Sequence, residues 1–138
     1  MKRPHITVIA FLFAAACGSP TEPSSGPLAL GWWTNSTGSA LHVEQAQSTL
    51  FLGCYYGVFP TPTLDKNGNF KTNGFIRGGP GPVEQGSGAP VTFSGHAVGS
   101  VLTITVSSDF KLFGSNTHTY DLRFDGPTPK NPITPPCA

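Results

Sequence analysis

Three of the four histidines and one glutamate are the side chains whose types best suit a metal ion. His42 and Glu44 are two residues apart, so they would share one face of a β-strand, as ligands on a strand do. Strand alternation places His96 on a solvent-facing side and His118 on an inward side near a strand end. The pattern predicts ordinary polar histidines and no metal or other cofactor, whereas convergence of His42, Glu44 and His118 would indicate a metal or enzyme site.

The carboxylates are too scattered along the chain to predict a catalytic pair. There are seven, and most of them fall in a predicted tether, turns or loops. They are Glu22, Glu44, Asp65, Glu84, Asp109, Asp121 and Asp125. The sequence also lacks Gly-x-Ser-x-Gly, His-Glu-x-x-His and Cys-x-x-Cys, the patterns of nucleophilic, zinc and redox chemistry. It therefore predicts a non-enzymatic protein, with an envelope hydrolase built on paired carboxylates as the least favoured alternative.

The first 17 residues have the pattern of an export signal. A basic start precedes an apolar run, residues 6–13, that is too short to cross a bilayer of about 30 Å as a permanent helix. Three alanines then lead directly to Cys17, and this ending resembles the lipobox of bacterial lipoproteins. The resemblance implies a signal peptide over residues 1–16 and a diacylglycerol on the Cys17 sulfur. The alternatives are an ordinary signal peptide cut after Ala16 and a buried thiol.

A polar segment, residues 17–27, follows the predicted signal peptide. Its sequence after Cys17 is GSPTEPSSGP, which has no hydrophobic side chain other than proline rings and predicts a flexible tether. With a lipid on Cys17, the expected location is the membrane of a bacterial cell envelope, and no spanning segment is needed. Gly18 beside the lipidated cysteine resembles the sorting pattern of Gram-negative lipoproteins, which implies the outer membrane.

Cys54 and Cys137 are the cysteines that remain once Cys17 carries lipid. Export to an oxidising compartment and the single possible intramolecular pairing predict a disulfide between them. Its loop of about 84 residues would contribute roughly 4 to 5 kcal/mol in the chain-entropy model. The Pro-rich segment 127–138 would then be a C-terminal strap across the domain. Two unpaired thiols and an intermolecular link are the alternatives.

Composition favours an all-β domain over residues 28–126. Seventeen glycines, fourteen prolines and 11% charged residues argue against long surface helices, which need charged side chains on their wet faces. Lysines and arginines do not cluster beyond the leader, so a nucleic-acid partner is not expected. Eight strands are predicted, at about 29–35, 41–46, 49–56, 58–64, 69–77, 91–98, 101–113 and 117–124. An up-and-down antiparallel β-barrel is favoured over a β-sandwich, because closure removes exposed strand edges.

Two turns give the clearest local predictions. The sequence PVTFSGHAVGSVLTITV predicts a β-hairpin with its turn at Gly99–Ser100, in a register that places Ala97 opposite Leu102. Alternation in that register leaves one face wholly apolar and the other polar. Asn67–Gly68 predicts a second turn, because both residues adopt positive φ at low cost.

Gly31 and Trp33 stand at the start of the first predicted strand, in the segment GWWTNSTGS. This Gly-x-Trp start resembles the opening of lipocalin-type and avidin-type barrels, in which the tryptophan closes one barrel end. Asn35 and Ser39 extend the match to an avidin-like Gly-x-Trp-x-Asn-x-x-Gly-Ser pattern. The resemblance implies that Asn35 and Ser39 face a ligand. The alternative role of Trp33 is plain barrel core.

A broader set of residues resembles small, uncharacterised bacterial lipoproteins and secreted proteins with one β domain. The set is Gly31-x-Trp33, Cys54, Leu64-Asp65-x-x-Gly68-x-Phe70, Phe93-Ser94-Gly95-x-x-x-Gly99 and Cys137. This resemblance implies the β fold and the disulfide, and it implies no particular activity.

A barrel of this kind suggests a binding function. We expect a small apolar or amphipathic ligand at the barrel end bordered by the loop 78–88, in a cavity lined by Trp33, Phe75 and Phe93. The opposing consideration is that about 100 residues in eight short strands fill such an interior with their own side chains.

The alternative function is an interaction module of the envelope. In this case Tyr55, Tyr56 and Phe59, beside two prolines, would form an exposed aromatic patch that binds an envelope protein or a glycan. A filled interior with outward aromatic side chains would favour this alternative over a ligand cavity.

Overall fold

The computed structural model describes residues 24–78, 88–131 and 133, and every regular element in these ranges is a β-strand. The strands are β1 Gly26–Pro27, β2 Gly31–Thr34, β3 Ala40–Val43, β4 Gln47–Leu52, β5 Tyr55–Pro60, β6 Thr63–Leu64, β7 Asn69–Gly78, β8 Ala89–Val98, β9 Val101–Leu112 and β10 Ser115–Gly126. The predicted leader, Cys17, nearly all of the loop 78–88 and Cys137 lie outside the described residues. In the described ranges, no helix is long and apolar enough to span a membrane.

Eight of the strands form a closed antiparallel barrel in the order β10-β2-β3-β4-β5-β7-β8-β9. Apart from β6, strands β2 to β10 pair with the strand that follows along the chain, so the topology is up-and-down. The pairing of β10 with β2 closes the barrel. The two short strands β1 and β6 pair with each other in a separate two-stranded sheet. The prediction of an up-and-down barrel is confirmed, and closure gives every barrel strand a paired neighbour on both sides over at least part of its length.

Two predicted strands differ from the observed ones. The predicted strand 49–56 is wrong, because a turn at 53–54 separates β4 from β5, and Gly53 adopts a φ of 66° there. The predicted strand 58–64 is also wrong, because Thr61 and Pro62 separate β5 from β6. Pro60 is the last residue of β5, and the ladder between β5 and β7 has already ended at Val58. The missing N–H of this proline therefore costs no bond of that ladder.

The β8–β9 hairpin has the predicted register. Ala97 pairs with Leu102 and Val98 with Val101 on either side of the turn. Ala97 and Leu102 are both 0% exposed, whereas His96, on the opposite face, is exposed. The alternation of side chains thus selects the register that buries the apolar face.

The predicted turn before Asn69 is present, but its conformation differs from the prediction, because Gly68 has a positive φ and Asn67 does not. The Asp65 side-chain oxygen Oδ1 accepts hydrogen bonds from the backbone N–H groups of Asn67, at 2.8 Å, and Asn69, at 3.0 Å. Gly68 has a φ of 80°. The N–H groups of Asn69 and Asn67 lower the pKa of Asp65 from its ordinary value, because they stabilise the carboxylate form.

Three phenylalanine rings fill the part of the barrel interior between β5, β7 and β8. The Phe59 ring is stacked 4.3 Å from the Phe93 ring and 6.4 Å from the Phe70 ring, measured between centroids. Phe59 is 1% exposed and Phe93 is 0% exposed. We call these three residues the aromatic plug.

Inward-facing glycines leave the space that the aromatic plug occupies. A Cβ atom added at Gly57 would lie 2.7 Å from the Phe93 ring, and one at Gly74 would lie 2.8 Å from the same ring. A Cβ atom at Gly95 would lie 2.3 Å from the Phe70 ring. Real Cβ atoms do not approach so closely, so the rings and glycines interdigitate as large and small residues do in a packed core.

At one barrel end, which we call the entry end, the chain enters the domain and the sheet of β1 and β6 lies close by. The Ser24 N–H donates to the Ala97 carbonyl at 3.0 Å, and the Leu28 N–H donates to the Pro62 carbonyl at 3.1 Å. Leu28 is 2% exposed. The predicted boundary between tether and domain at residue 28 is therefore a few residues late, because residues 24–27 pair with the barrel domain.

The opposite barrel end, which we call the far end, carries the tip of the β9–β10 hairpin. Phe113 and Gly114 form this turn with φ values of 52° and 84°. The Phe113 ring makes edge-on contacts with the rings of Tyr55 and His118, and the distances between ring centroids are 4.9 Å and 5.6 Å. A left-handed conformation is unfavourable for a bulky side chain, and these ring contacts offset part of its cost.

Candidate functional site on the outer wall

The residues predicted to line one internal cavity do not lie together. Trp33 and Phe93 are inside the barrel and are 2% and 0% exposed. Phe75 is on the outer wall and is 43% exposed, between two inward neighbours, Gly74 and Ile76. The prediction of a cavity lined by all three residues is therefore wrong, because strand alternation points Phe75 away from the interior.

The polar residues of the avidin-like pattern stabilise a turn. The Asn35 side-chain oxygen accepts hydrogen bonds from the Thr37 N–H at 3.1 Å, from the Thr37 hydroxyl at 2.8 Å and from the Ser39 N–H at 3.0 Å. This Asx-type arrangement closes the connection between β2 and β3. The Asn35 oxygen and the Ser39 N–H are thus engaged within the turn.

Trp33 packs as core, which is the alternative that the sequence left open. Its indole N–H donates to the Ala29 carbonyl at 3.1 Å, and its ring lies 5.0 Å from the Phe124 ring. The buried donor is therefore satisfied by the backbone of the chain itself.

The predicted aromatic patch of Tyr55, Tyr56 and Phe59 is also wrong. Phe59 belongs to the aromatic plug, and Tyr55 packs against the core cluster and Phe113. Tyr56 is the member of this set on the outer wall, where it is half-buried and pairs with Phe51 on β4.

A different group of aromatic side chains lies on the outer wall. Trp32 and His42 are cross-strand partners, and their rings are stacked with centroids 4.2 Å apart and an interplanar angle of 9°. The Phe51 ring lies 5.9 Å from the Trp32 ring. We call Trp32, His42 and Phe51 the outer-wall stack. Ala40, the cross-strand partner of Phe51, is only 1% exposed although it faces outward.

Phe75 forms a ridge between two grooves of the outer wall. One groove, of about 340 Å³, opens where β5 and β7 separate beyond Val58, and Gln47, Pro60 and Arg77 are among its lining residues. The other groove, of about 460 Å³, runs over β7, β8 and β9. These two grooves and the outer-wall stack are candidate binding features. A further groove, of about 660 Å³, lies over β2, β9 and β10, and Asn35 and Asp125 are among its lining residues.

A polar network holds the start of the C-terminal segment against the outer wall. The Thr34 hydroxyl donates to Asp125 Oδ2 at 2.6 Å, and the Asn131 side-chain amide donates to the Thr34 hydroxyl oxygen at 2.9 Å. The Lys130 N–H also donates to Asp125 Oδ2, at 2.9 Å. The Thr34 and Lys130 hydrogen bonds lower the pKa of Asp125 from its ordinary value.

The histidines occupy separate positions. Nδ1 of His96 lies 2.8 Å from Asn69 Oδ1 on the solvent-facing side, as alternation predicted. His118 interacts through Nε2 with the carbonyl oxygens of Leu112 and Ser115 near the far end. Within the described residues, no group of three or more His, Cys, Asp or Glu side chains could hold a metal ion.

Sequence reasoning missed Trp32 and the outward position of Phe75. The signal was available in both cases, because adjacent residues of a strand point to opposite faces. Trp32 precedes Trp33, which was expected inside, and Phe75 precedes the apolar Ile76. Strand parity would therefore have placed both rings on the outer wall.

Comparison with known proteins adds no assignment. No family model matches the chain, and neither a curated protein nor a solved structure is detectably similar to it.

Proposed function

We propose that this protein is a lipid-anchored component of the bacterial cell envelope whose non-enzymatic barrel binds other envelope molecules through its outer wall. One observation carries the choice of the outer wall. The aromatic plug fills the interior between β5, β7 and β8, whereas the outer-wall stack is half-buried and the two grooves beside Phe75 are open to solvent. A small apolar ligand inside the barrel is less well supported, because it would have to displace buried rings.

Support for the anchor comes from the sequence. The export signal, the three alanines before Cys17 and the polar residues after it all fit a lipidated cysteine and a tether. Residues 17–23 precede Ser24, the first described residue, and in this proposal they link the acyl chains to the barrel. In a Gram-negative host the anchor lies in the outer membrane.

The proposed disulfide between Cys54 and Cys137 is compatible with the chain length. Asn131 is held at Thr34 on β2, and six further residues, which span at most about 20 Å, lead to Cys137. Cys54 lies in the turn after β4, two strands from β2 and three residues beyond Phe51, at a distance of roughly 14 Å along the wall. The strap therefore has enough length to reach Cys54.

The binding mode is tested with the full chain carrying Cys17→Ser. Purified protein is co-sedimented with isolated cell-wall polysaccharide and with envelope membrane vesicles, and it is separately titrated with an apolar fluorescent probe. We expect saturable co-sedimentation that falls about tenfold in the double variant Trp32→Ala, Phe75→Ala, and no saturable probe binding. Leu30→Ala is the matched control, because Leu30 is an exposed apolar residue, 56% exposed, outside the stack and the grooves.

Two results would overturn the proposal. The first is saturable binding of the probe that Phe93→Ala changes and the outer-wall double variant does not. The second is co-sedimentation that is equal in wild type, in the double variant and in Leu30→Ala.

The anchor and the disulfide are tested separately. Radiolabelled palmitate should enter the wild-type protein and not Cys17→Ser, which should leave the membrane fraction. Peptide mapping without reductant should give one linked pair that contains Cys54 and Cys137. Wild-type protein without label, or mapped peptides in which both thiols are alkylated, would contradict the corresponding part of the proposal.

A further inference from the structure

The groove over β7, β8 and β9 has two walls of different chemistry. Phe75 and its cross-strand partner Pro90 form an apolar wall. The opposite wall consists of polar residues of β9, which include Ser107 and Asp109. The groove has a volume of about 460 Å³, which lies within the range of small-molecule sites.

The floor of this groove carries polar groups with unused bonding capacity. The Thr92 hydroxyl lies 3.5 Å from Asn73 Oδ1, which is at the long limit for a hydrogen bond between oxygens. A side-chain amide offers two donors and an acceptor, and a hydroxyl offers one donor and an acceptor. Asn73 and Thr92 can therefore bond a ligand at little cost to the fold.

The charge of the groove restricts its ligand. Asp109 is exposed and is the one ionisable side chain among the described residues that line the groove, so none of these residues is a lysine or arginine that could bind an anion. The full chain carries a formal net charge of +1, so long-range electrostatic attraction of an anion is weak as well. A ligand of this groove is accordingly not an anion.

An aromatic ring opposite amide, hydroxyl and carboxylate groups matches the chemistry of a sugar. A pyranose has an apolar face of C–H groups, which packs against an aromatic ring, and a rim of hydroxyl groups, which donate to carboxylate or amide oxygens. The exposed ring of Phe75 offers such a surface, and Asp109 and Asn73 offer such acceptors.

We propose that the groove over β7, β8 and β9 is a saccharide site that binds neutral pyranose units of an envelope glycan. Phe75 packs against the sugar face, and Asn73 and Asp109 bond its hydroxyl groups. The inference rests on the proposed binding function of the outer wall and names one ligand class and one groove within it.

Titration calorimetry on the full chain carrying Cys17→Ser tests the site. The probes are tetrasaccharides of glucose, of mannose and of N-acetylglucosamine, together with a tetrasaccharide of a uronic acid. We expect at least one neutral tetrasaccharide to bind, and we expect the uronic acid probe to bind more weakly than it. Phe75→Ala should weaken binding about tenfold, Phe75→Tyr should restore it, and Asp109→Asn should weaken it by a smaller factor. Leu30→Ala should leave it unchanged.

The outcomes separate this inference from the proposed function. Absence of binding of every neutral probe, equal binding by Phe75→Ala, or preference for the uronic acid probe would overturn the saccharide site. If co-sedimentation with envelope vesicles still depends on Trp32 in that case, the outer-wall function stands and its ligand is a protein or a lipid. If co-sedimentation is independent of both Trp32 and Phe75, the proposed function fails as well.

Discussion

The interior and the outer wall of this barrel use the same residue type in opposite ways. Phe93 is 0% exposed and belongs to the aromatic plug, whereas Phe75 is 43% exposed and separates two grooves. The two phenylalanine rings differ in the residues that surround them. Inside the barrel, glycines accommodate the rings, and on the wall Phe75 has Val58 and Pro90 as its cross-strand partners. Hydrophobic residue type alone therefore does not separate core from binding surface in a barrel.

Truncation of a plug residue gives the largest expected effect and tests the interior directly. Phe93→Ala should lower the free energy of unfolding by about 3 to 5 kcal/mol, because it removes a fully buried ring and leaves a cavity. Urea unfolding monitored by tryptophan fluorescence measures the change. Phe75→Ala is the control and should cost less than about 1 kcal/mol. Equal losses in the two variants would remove the distinction between interior and wall.

Addition of a side chain at an inward glycine also tests the difference between the interior and the outer wall. A Cβ atom at Gly74 would lie 2.3 Å from the Val58 carbonyl oxygen, so the backbone of β5 or β7 has to shift in Gly74→Ala. We expect a loss of about 1 to 3 kcal/mol, as in other overpacked cores. Asn73→Ala, the adjacent outward position, should change stability by about 0.5 kcal/mol or less. An unchanged urea midpoint in Gly74→Ala would indicate that the plug does not fill its space.

The outer-wall stack should contribute a smaller, pairwise energy. A double-mutant cycle with Trp32→Ala and His42→Ala should give a coupling of about 0.5 to 1.5 kcal/mol, because the two rings are stacked 4.2 Å apart. Urea unfolding of the wild type, the two single variants and the double variant supplies the four required values. Additive losses would show that the wall rings contribute independently of one another.

The smallest expected effect concerns pH and the polar network on the wall. Because the pKa of Asp125 is lowered in the folded protein, the unfolded chain takes up the proton first as pH falls below about 4. The stabilisation is therefore complete above that pH and is lost as pH falls through the folded-state pKa. Asp125→Asn should have a shallower decline of melting temperature between pH 5 and pH 2 than the wild type.

Asp109→Asn controls for the loss of one exposed carboxylate and is measured in parallel. Asp65, whose pKa is also lowered, contributes equally to all three proteins and cancels in the comparison. Identical slopes for Asp125→Asn and the wild type would contradict the assigned role of the Thr34 and Lys130 hydrogen bonds.

Much of the fold follows from local sequence rules. The turn at Gly99–Ser100 and the register of Ala97 opposite Leu102 both come from alternation and turn chemistry over a few residues. The closed barrel was favoured on a different ground, because closure removes exposed strand edges. The turn at residues 53–54 was not predicted, because Gly53 and Cys54 lie within a run of apolar and aromatic residues that is compatible with a continuous strand.

The candidate site was less accessible to sequence reasoning. Phe59 was expected outside, in an aromatic patch with Tyr55 and Tyr56, yet its ring stacks on Phe93, a residue 34 positions later in the chain. Which rings and glycines meet inside a barrel depends on strand order and stagger, and neither is encoded locally. The groove over β7, β8 and β9 likewise depends on the packing of three strands, which turn chemistry alone does not predict.

The hydrogen bond from Ser24 to Ala97 has a geometric consequence for a protein with a lipid on Cys17. Seven residues, 17–23, would connect the acylated sulfur to that bond, and a fully extended peptide of this length reaches only about 25 Å. The rim beside Ala97 would stay within that radius of the lipid headgroups, while Phe113, at the other rim, would be carried toward the opposite side of the compartment. A longer linker would increase the distance that the domain can reach from the membrane surface, and it would leave the contacts within the domain unchanged.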